Sequence, residues 1–87
     1  MMILVMVNPA QSLDNRVAFG LRLRELRTNA GLSQEELAHR SGLDRTYVSS
    51  CERGRRNVSL DSIVSLAIGL GIAPAELLVD IRRQGAK

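Results

Sequence analysis

The chain repeatedly places a helix-capping residue between two apolar residues. Ser33 is followed three residues later by Glu36, which is the spacing of a capping box, and Leu32 and Leu37 flank the cap as a hydrophobic staple. The same flanked arrangement recurs at Asp44, Ser59 and Ala73. Because a helix start recurs so often within 87 residues, the chain can fold only into short helices joined by tight turns.

Apolar periodicity and composition agree with a helical fold. Phe19, Leu23, Leu26 and Ala30 form one stripe at helical spacing. Helices are predicted at 14–30, 33–40, 44–52, 59–70 and 74–83, the last with Pro74 at its first position. Aromatic residues are only 2% of the chain, so the core must be aliphatic, which favours helices over a sheet. We predict a compact all-α, five-helix domain over residues 13–83, followed by a tail at 84–87.

The opening segment "MMILVMV" is apolar but resembles neither a signal peptide nor a membrane span. No basic residues precede it, and it is too short to cross a bilayer. Three alternatives remain open: an arm, a strand that pairs with another chain, or an over-extended start with Met6 as the true first residue. We predict a loosely ordered arm over residues 1–12.

Positive charge is concentrated in one part of the chain. The formal net charge is +3 and the sequence pI is about 10.0. Between Arg45 and Arg56 there are four arginines and one acid, Glu52. Such a region suits a polyanionic partner, and the alternative is an ordinary solvated basic loop.

The second and third predicted helices are joined by the short connection "SGLD". A turn of three to four residues that contains a glycine lets two helices cross steeply, as a helix-turn-helix requires.

Four segments occur in the order "GLSQEELA", "SGLDRTYVS", "ERGRRNVSL" and "LGIAPAELL". Together they resemble the Cro/C1-type (Xre) helix-turn-helix family of prokaryotic DNA-binding regulators, over about Phe19 to Leu78. Within that family, "LDRTYVS" followed by "ERGRRNVSL" resembles the controller proteins of restriction-modification systems, which are small dimeric regulators of the endonuclease gene. The resemblance implies a lambda-repressor-like fold and a homodimer that binds pseudo-palindromic operators in double-stranded DNA.

The resemblance also implies roles for individual residues. Those expected to read bases, from the start of the third helix, are Arg45, Thr46, Tyr47, Ser49 and Ser50. Those expected to bind phosphates are Ser33, Gln34, Arg53, Arg55, Arg56 and Asn57. The chemistry agrees, since the guanidinium of Arg45 can bind guanine O6 and N7 together.

Several of these positions have a second interpretation. The resemblance implies that Arg27 and Glu52 form a structural ion pair between the first and third helices; the alternative is that Arg27 binds phosphate. The ring of Tyr47 could pack against the turn, or its hydroxyl could bind a phosphate. The arginines of the loop could simply be solvated.

Catalysis and metal binding have little support in the sequence. Cys51 and His39 are the only cysteine and the only histidine, which is too few for a tetrahedral metal site. We expect Cys51 to be a small buried hydrophobic residue, with a Cys51-dependent enzyme as the rival hypothesis. A single cysteine excludes an internal disulfide and fits a reducing cytoplasm. We expect no cofactor, no metal and no membrane partner.

The fourth and fifth predicted helices are apolar on more than one face. A surface of this kind should be buried against a partner, and the resemblance implies a two-fold dimer through the fifth helix and the end of the fourth. The candidate interface residues are Ile68, Leu78, Val79 and Ile81; the alternative is that they complete the monomer core.

The expected function is that of a cytoplasmic, nucleoid-associated regulator that acts by blocking or recruiting RNA polymerase. The rival hypothesis is an antitoxin that binds a toxin through its apolar arm.

Overall fold

The computed structural model describes residues 9–79 and 81, with side chains from residue 15 onward. Over these residues the chain forms four α-helices and a 3₁₀ helix: α1 (Pro9–Asn29), α2 (Gln34–Ser41), α3 (Arg45–Glu52), α4 (Leu60–Leu70) and the 3₁₀ helix Pro74–Leu78. No strand occurs within this part of the chain. The all-α prediction is confirmed, and α2, α3 and α4 lie within one residue of their predicted bounds.

Local hydrogen bonds explain where the helices begin. The capping box is complete, because Glu36 N donates to Ser33 Oγ at 3.0 Å and Ser33 N donates to Glu36 Oε1 at 2.8 Å. Ser59 caps α4 by accepting a hydrogen bond from the main chain of Ser62. Asp44 precedes α3 with extended backbone, but its carboxylate makes no capping bond. Tyr47 N donates instead to the main-chain oxygen of Asp44, at 3.0 Å.

The predicted start of the first helix was wrong by five residues. α1 begins at Pro9, a residue whose fixed φ suits the first turn of a helix, so residues 9–12 of the predicted arm are helical. Residues 1–8 of that arm and the predicted tail at 84–87 lie outside the described residues.

The predicted fifth helix, 74–83, is a shorter and tighter element. Its hydrogen bonds join residues three apart: Glu76 N donates to Ala73 O at 3.0 Å, and Ile81 N donates to Leu78 O at 3.1 Å. Such 3₁₀ geometry is rarely sustained beyond three or four residues, which accounts for the early end at Leu78. Residues 82 and 83 lie outside the described part.

The core is aliphatic, and each of the five helical segments contributes to it. Each segment contributes one side chain with no exposed surface: Leu23, Leu37, Val48, Leu66 and Leu77. Phe19 is the one aromatic residue among the buried hydrophobic side chains. α2 packs on α4, and α1 packs on α3. Gly20 permits the second of these contacts, because a Cβ at that position would lie 2.4 Å from the main-chain oxygen of Cys51.

Candidate nucleic-acid interface

A three-residue turn joins α2 to α3. Gly42 ends α2 in the left-handed region, with φ of 68°, and its N–H donates to the last carbonyls of α2. Leu43 N donates to Ala38 O at 2.9 Å, which closes the turn, and the Leu43 side chain packs against the core. The predicted glycine-containing turn is therefore present, and it sets the direction in which α3 leaves α2.

The inward side of α3 determines which of its residues face solvent. Val48 and Cys51, three residues apart, are buried, so the opposite side of this eight-residue helix faces solvent. Arg45 and Thr46 are exposed, and Ser49 is half-buried one turn further along. We call Arg45, Thr46 and Ser49 the recognition face. The other two residues predicted to read bases, Tyr47 and Ser50, are half-buried at its edges.

The C-terminal end of α3 is held by three side chains, Arg27, Gln34 and Glu52, which we call the anchor. Arg27 Nη2 donates to Glu52 Oε1 at 2.9 Å, and Arg27 Nε donates to Glu52 Oε2. Gln34 Nε2 donates to Glu52 Oε1 at 3.0 Å, and Arg27 Nη1 donates to Leu32 O at 2.8 Å. The anchor therefore joins α1, the start of α2 and the end of α3.

The burial of the anchor distinguishes it from a surface ion pair. The side chains of Arg27 and Glu52 are only 12% and 4% exposed. The hydrogen bonds to Glu52 hold the pKa of Arg27 above its ordinary value, which keeps the guanidinium charged. A two-pronged Arg–carboxylate pair also defines an orientation, because both partners are planar. The alternative interpretation of Arg27 as a phosphate ligand is difficult to reconcile with these contacts.

The two residues at the start of α2 that were predicted to bind phosphate have partners within the protein. The Ser33 hydroxyl accepts the capping bond from Glu36, and the Gln34 amide nitrogen donates to Glu52. Ser33 is exposed and Gln34 is half-buried. Among the described residues, the Ser33 hydroxyl donates no hydrogen bond and the Gln34 amide oxygen accepts none. Phosphate binding by either residue stays a prediction.

Residues 53–57, which we call the arginine loop, fold back beside α3. Gly54 makes this possible: with φ of 74° it is buried against Val17, while its N–H donates to Cys51 O at 3.0 Å. Arg55 N then donates to Ser50 O at 3.0 Å. These bonds complete the end of α3, so the loop leaves the helix in a defined direction.

Two arginines of the loop contact residues of α3. Arg53 Nη1 donates to Ser49 Oγ, and the guanidinium carbon of Arg56 lies 5.2 Å from the centre of the Tyr47 ring, within cation–π distance. The remaining residues predicted to bind phosphate, Arg55 and Asn57, are exposed. The structure thus joins two residues predicted to bind phosphate, Arg53 and Arg56, to two residues predicted to read bases, Ser49 and Tyr47. The positive charge of the arginine loop therefore lies beside α3.

Sequence reasoning missed the contacts within this group. The spacing of four between Ser49 and Arg53 is a signal that could have predicted their hydrogen bond, since such residues lie one above the other on a helix. The stacking of Arg56 on Tyr47 has no comparable signal, because it depends on the path of the loop.

Cys51 is buried, as expected, and its surroundings do not favour reactivity. Burial raises the pKa of the thiol to about 11, while a hydrogen bond with Tyr47 lowers it by less. His39 is exposed on α2. Among the residues that the structure describes, no three potential metal ligands lie together. Within the same residues, no helix is both long enough and apolar enough to cross a bilayer.

A second surface carries exposed apolar residues. Ile68, Leu78 and Val79 are 70%, 39% and 55% exposed, whereas Ile81 is half-buried and packs against the core. Leu60 and Val64 precede Ile68 on α4 at intervals of four and are also exposed. Their spacing could have identified them from the sequence, although they were not predicted. We use the name apolar face for the five exposed aliphatic residues of α4 and of the end of the 3₁₀ helix: Leu60, Val64, Ile68, Leu78 and Val79.

Comparisons with known proteins agree with this arrangement. Residues 18–78 match the family model described as "Helix-turn-helix domain". A hypothetical transcription factor from Neisseria meningitidis serogroup B is 48% identical over 66 residues, which are 76% of this chain and 62% of that protein. This chain therefore spans less than two thirds of that relative's length.

Two shorter proteins match over nearly their whole length. The control protein C.MunI from Mycoplasma sp is 46% identical over 72 residues, or 82% of this chain and 97% of that protein. The crystal structure of the restriction-modification controller protein C.AhdI from Aeromonas hydrophila aligns with a TM-score of 0.72 and 62% identity, and it covers 74% of this chain and 97% of that one. The chain thus belongs to the helix-turn-helix family of transcriptional regulators and is similar to restriction-modification controller proteins.

Proposed function

We propose that this protein is a sequence-specific, double-stranded DNA-binding transcription regulator that acts as a homodimer on pseudo-palindromic operators and controls a restriction-modification system. One observation carries the DNA-binding part: the recognition face lies on the second helix of a helix-turn-helix, with the arginine loop directly behind it. The similarity to controller proteins, at up to 62% identity, supports the role in restriction and modification.

The recognition face has the chemistry for reading a major groove. Arg45 and Thr46 are exposed in the first turn of α3, where helix-turn-helix proteins contact base edges. Arg45 supplies two parallel donors for guanine, and Thr46 supplies a methyl group and a hydroxyl. The arginine loop supplies charge for phosphates, which provides affinity without reading sequence. This mechanism depends on occupancy of the operator, in a cytoplasmic protein that blocks or recruits RNA polymerase and requires neither catalysis nor a cofactor.

The homodimer is supported by the apolar face. Exposed aliphatic residues recur at intervals of four along α4, and two more, Leu78 and Val79, stand at the end of the 3₁₀ helix. Clustered exposed apolar residues are typical of protein–protein contact sites. A two-fold dimer would place two recognition helices about 34–36 Å apart, one turn of DNA. Introducing a charge by Val79→Asp should yield monomers in sedimentation. Leu21→Asp, at an exposed apolar position of α1 outside this face, is the matched control and should leave the dimer intact.

The test of DNA recognition is a selection of bound sequences from random duplexes, followed by binding titrations at several salt concentrations. We expect an inverted repeat, and a log–log salt slope of about −5 to −9 if the dimer neutralises six to ten phosphates. Arg45→Ala should reduce discrimination at one base pair per half-site by about 1–3 kcal/mol.

Arg24→Ala is the matched control for Arg45→Ala, because it removes the same charge from an exposed position on α1. If Arg45→Ala weakens binding to selected and random DNA by the same factor, Arg45 does not read a base. A selection that enriches no sequence at all would reject sequence-specific binding.

A further inference from the structure

Within the described part of the chain, the ion pair made by the 3₁₀ helix is with Arg22 of α1. Its Nε donates to the main-chain oxygen of Glu76 at 2.8 Å, and its Nη2 donates to Glu76 Oε1 at 3.1 Å. Its remaining nitrogen, Nη1, donates to Glu25 Oε1 at 3.0 Å. One guanidinium thus holds both the backbone and the side chain of a residue 54 positions away.

The 3₁₀ helix packs on α4 and α1, and Arg22 adds a directed hydrogen bond to that packing. It has five residues, and 3₁₀ hydrogen bonds have poorer geometry than those of an α-helix. Leu77 is fully buried and fixes one point of the element in the core. Arg22, whose side chain is only 17% exposed, fixes a second point at the preceding residue. Together with the packing on α1 and α4, these two contacts hold the segment from which Leu78 and Val79 project into solvent.

We infer that Arg22 is a positioning residue for self-association: it orients the 3₁₀ helix so that Leu78 and Val79 join Ile68 in the apolar face. This inference rests on the proposed homodimer and adds a residue that lies outside the apolar face itself. The effective contact is the bond to the Glu76 main chain. The ion pairs with Glu25 and Glu76 are half-exposed, at 57% and 54% for the two glutamates, and contribute less.

The experiment compares dimer dissociation constants of the full chain by analytical ultracentrifugation over a dilution series. Arg22→Gln should weaken the dimer about tenfold, because each dimer contains two such clamps and each loses a charge-assisted hydrogen bond. Glu76→Gln should weaken it only about twofold, since the main-chain acceptor remains. Arg22→Lys should restore part of the affinity, because an ammonium can reach one acceptor but not both.

Two controls separate positioning from a general loss of charge or stability. Arg24→Gln makes the same charge change at an exposed position on the same helix, and it should leave the dimer unchanged. Gly31→Ala strains a left-handed position, with φ of 73° and no neighbour within 4 Å, so it lowers the stability of the fold without touching the 3₁₀ helix. Amide hydrogen exchange at Leu78 and Val79 should become faster in Arg22→Gln and stay unchanged in Gly31→Ala.

The outcomes distinguish this inference from the proposal beneath it. If Arg22→Gln dimerises as tightly as Arg24→Gln, or if Gly31→Ala weakens the dimer equally, the positioning role is overturned and the homodimer stands. If the wild-type chain remains monomeric at all concentrations, the homodimer fails and the role of Arg22 fails with it.

Discussion

Gly20→Ala tests how closely α1 approaches α3. A Cβ at this position would lie 2.4 Å from Cys51 O, 2.6 Å from Glu52 O and 2.9 Å from Glu52 C. All three neighbours belong to the main chain of α3, so no side chain can rotate away to make room. Even a close carbon–oxygen contact requires about 3.3 Å. α1 and α3 would therefore have to separate by roughly 1 Å.

The expected cost is the difference between two opposing terms. Overpacking a well-filled site costs about 1–3 kcal/mol, and more when the backbone must move. Alanine recovers about 0.5–1 kcal/mol because it is a better helix former than glycine. The free energy of unfolding should therefore fall by about 1–2 kcal/mol, which corresponds to a melting temperature lower by about 4–16 °C in a domain of this size.

The assay is urea unfolding followed by circular dichroism at the helical band, since the chain has no tryptophan. DNA binding should also weaken at temperatures where the variant is folded, because the displaced carbonyls belong to the end of α3 that carries Glu52. Unfolding free energy and DNA affinity should thus fall together.

Gly69 provides a matched control, because a Cβ there would lie 2.3 Å from a side-chain atom, Ser41 Oγ. Gly69→Ala should be relieved by Ser41→Ala, which also removes a buried hydroxyl that has no hydrogen-bond partner among the described residues. Gly20→Ala should have no such rescue. If Gly20→Ala leaves the stability unchanged or raises it, the close packing of α1 on α3 is wrong.

Two further predictions concern the anchor and the buried thiol. Glu52→Ala should cost about 3–5 kcal/mol of unfolding free energy, because it leaves Arg27 buried without its partner, and Glu52→Gln should cost less; equal costs would argue against an ion pair. Native Cys51 should resist alkylation until the protein unfolds, since burial raises its pKa to about 11. The pKa of a thiol in the unfolded chain is about 8.5, so ionisation favours the unfolded state above that pH. The free energy of unfolding should therefore fall by on the order of 2 kcal/mol as the pH rises from about 9 to 11. The fall should be shallower in Cys51→Ala.

The helix starts were predictable because their signals are local. The capping box of Ser33 and Glu36 and the cap at Ser59 act over three residues, and the structure contains both. Residues 9–13 lack the apolar stripe on which the prediction of the first helix relied, although Pro9 itself was a usable signal. The early end of the last element was not predictable in this way, because it follows from 3₁₀ hydrogen bonding, which the apolar spacing does not indicate.

In the candidate site too, local features were predictable from the sequence and contacts between distant residues were not. The inward positions of α3 followed from the spacing of Val48 and Cys51, whereas the pairing of Arg27 with Glu52, 25 residues apart, was expected only through family resemblance. Arg22 and Glu76 are separated by 54 residues, and no pattern along the chain relates them. Contacts of this kind depend on how whole helices pack together, and the local sequence around either residue does not indicate them.

Because the anchor holds α3 at one end, a small rotation there displaces the other end of the helix. Glu52 holds one end of the helix, and Arg45 lies seven residues away at the other, about 10 Å along the axis. A rotation of about 5° at the anchor would therefore move the start of the helix by about 1 Å, enough to take a hydrogen bond from good geometry to poor. We therefore expect variants of Arg27, Gln34 or Glu52 to alter operator preference while leaving the side chains of the recognition face intact. The angular stiffness of one buried ion pair would then be a determinant of sequence preference.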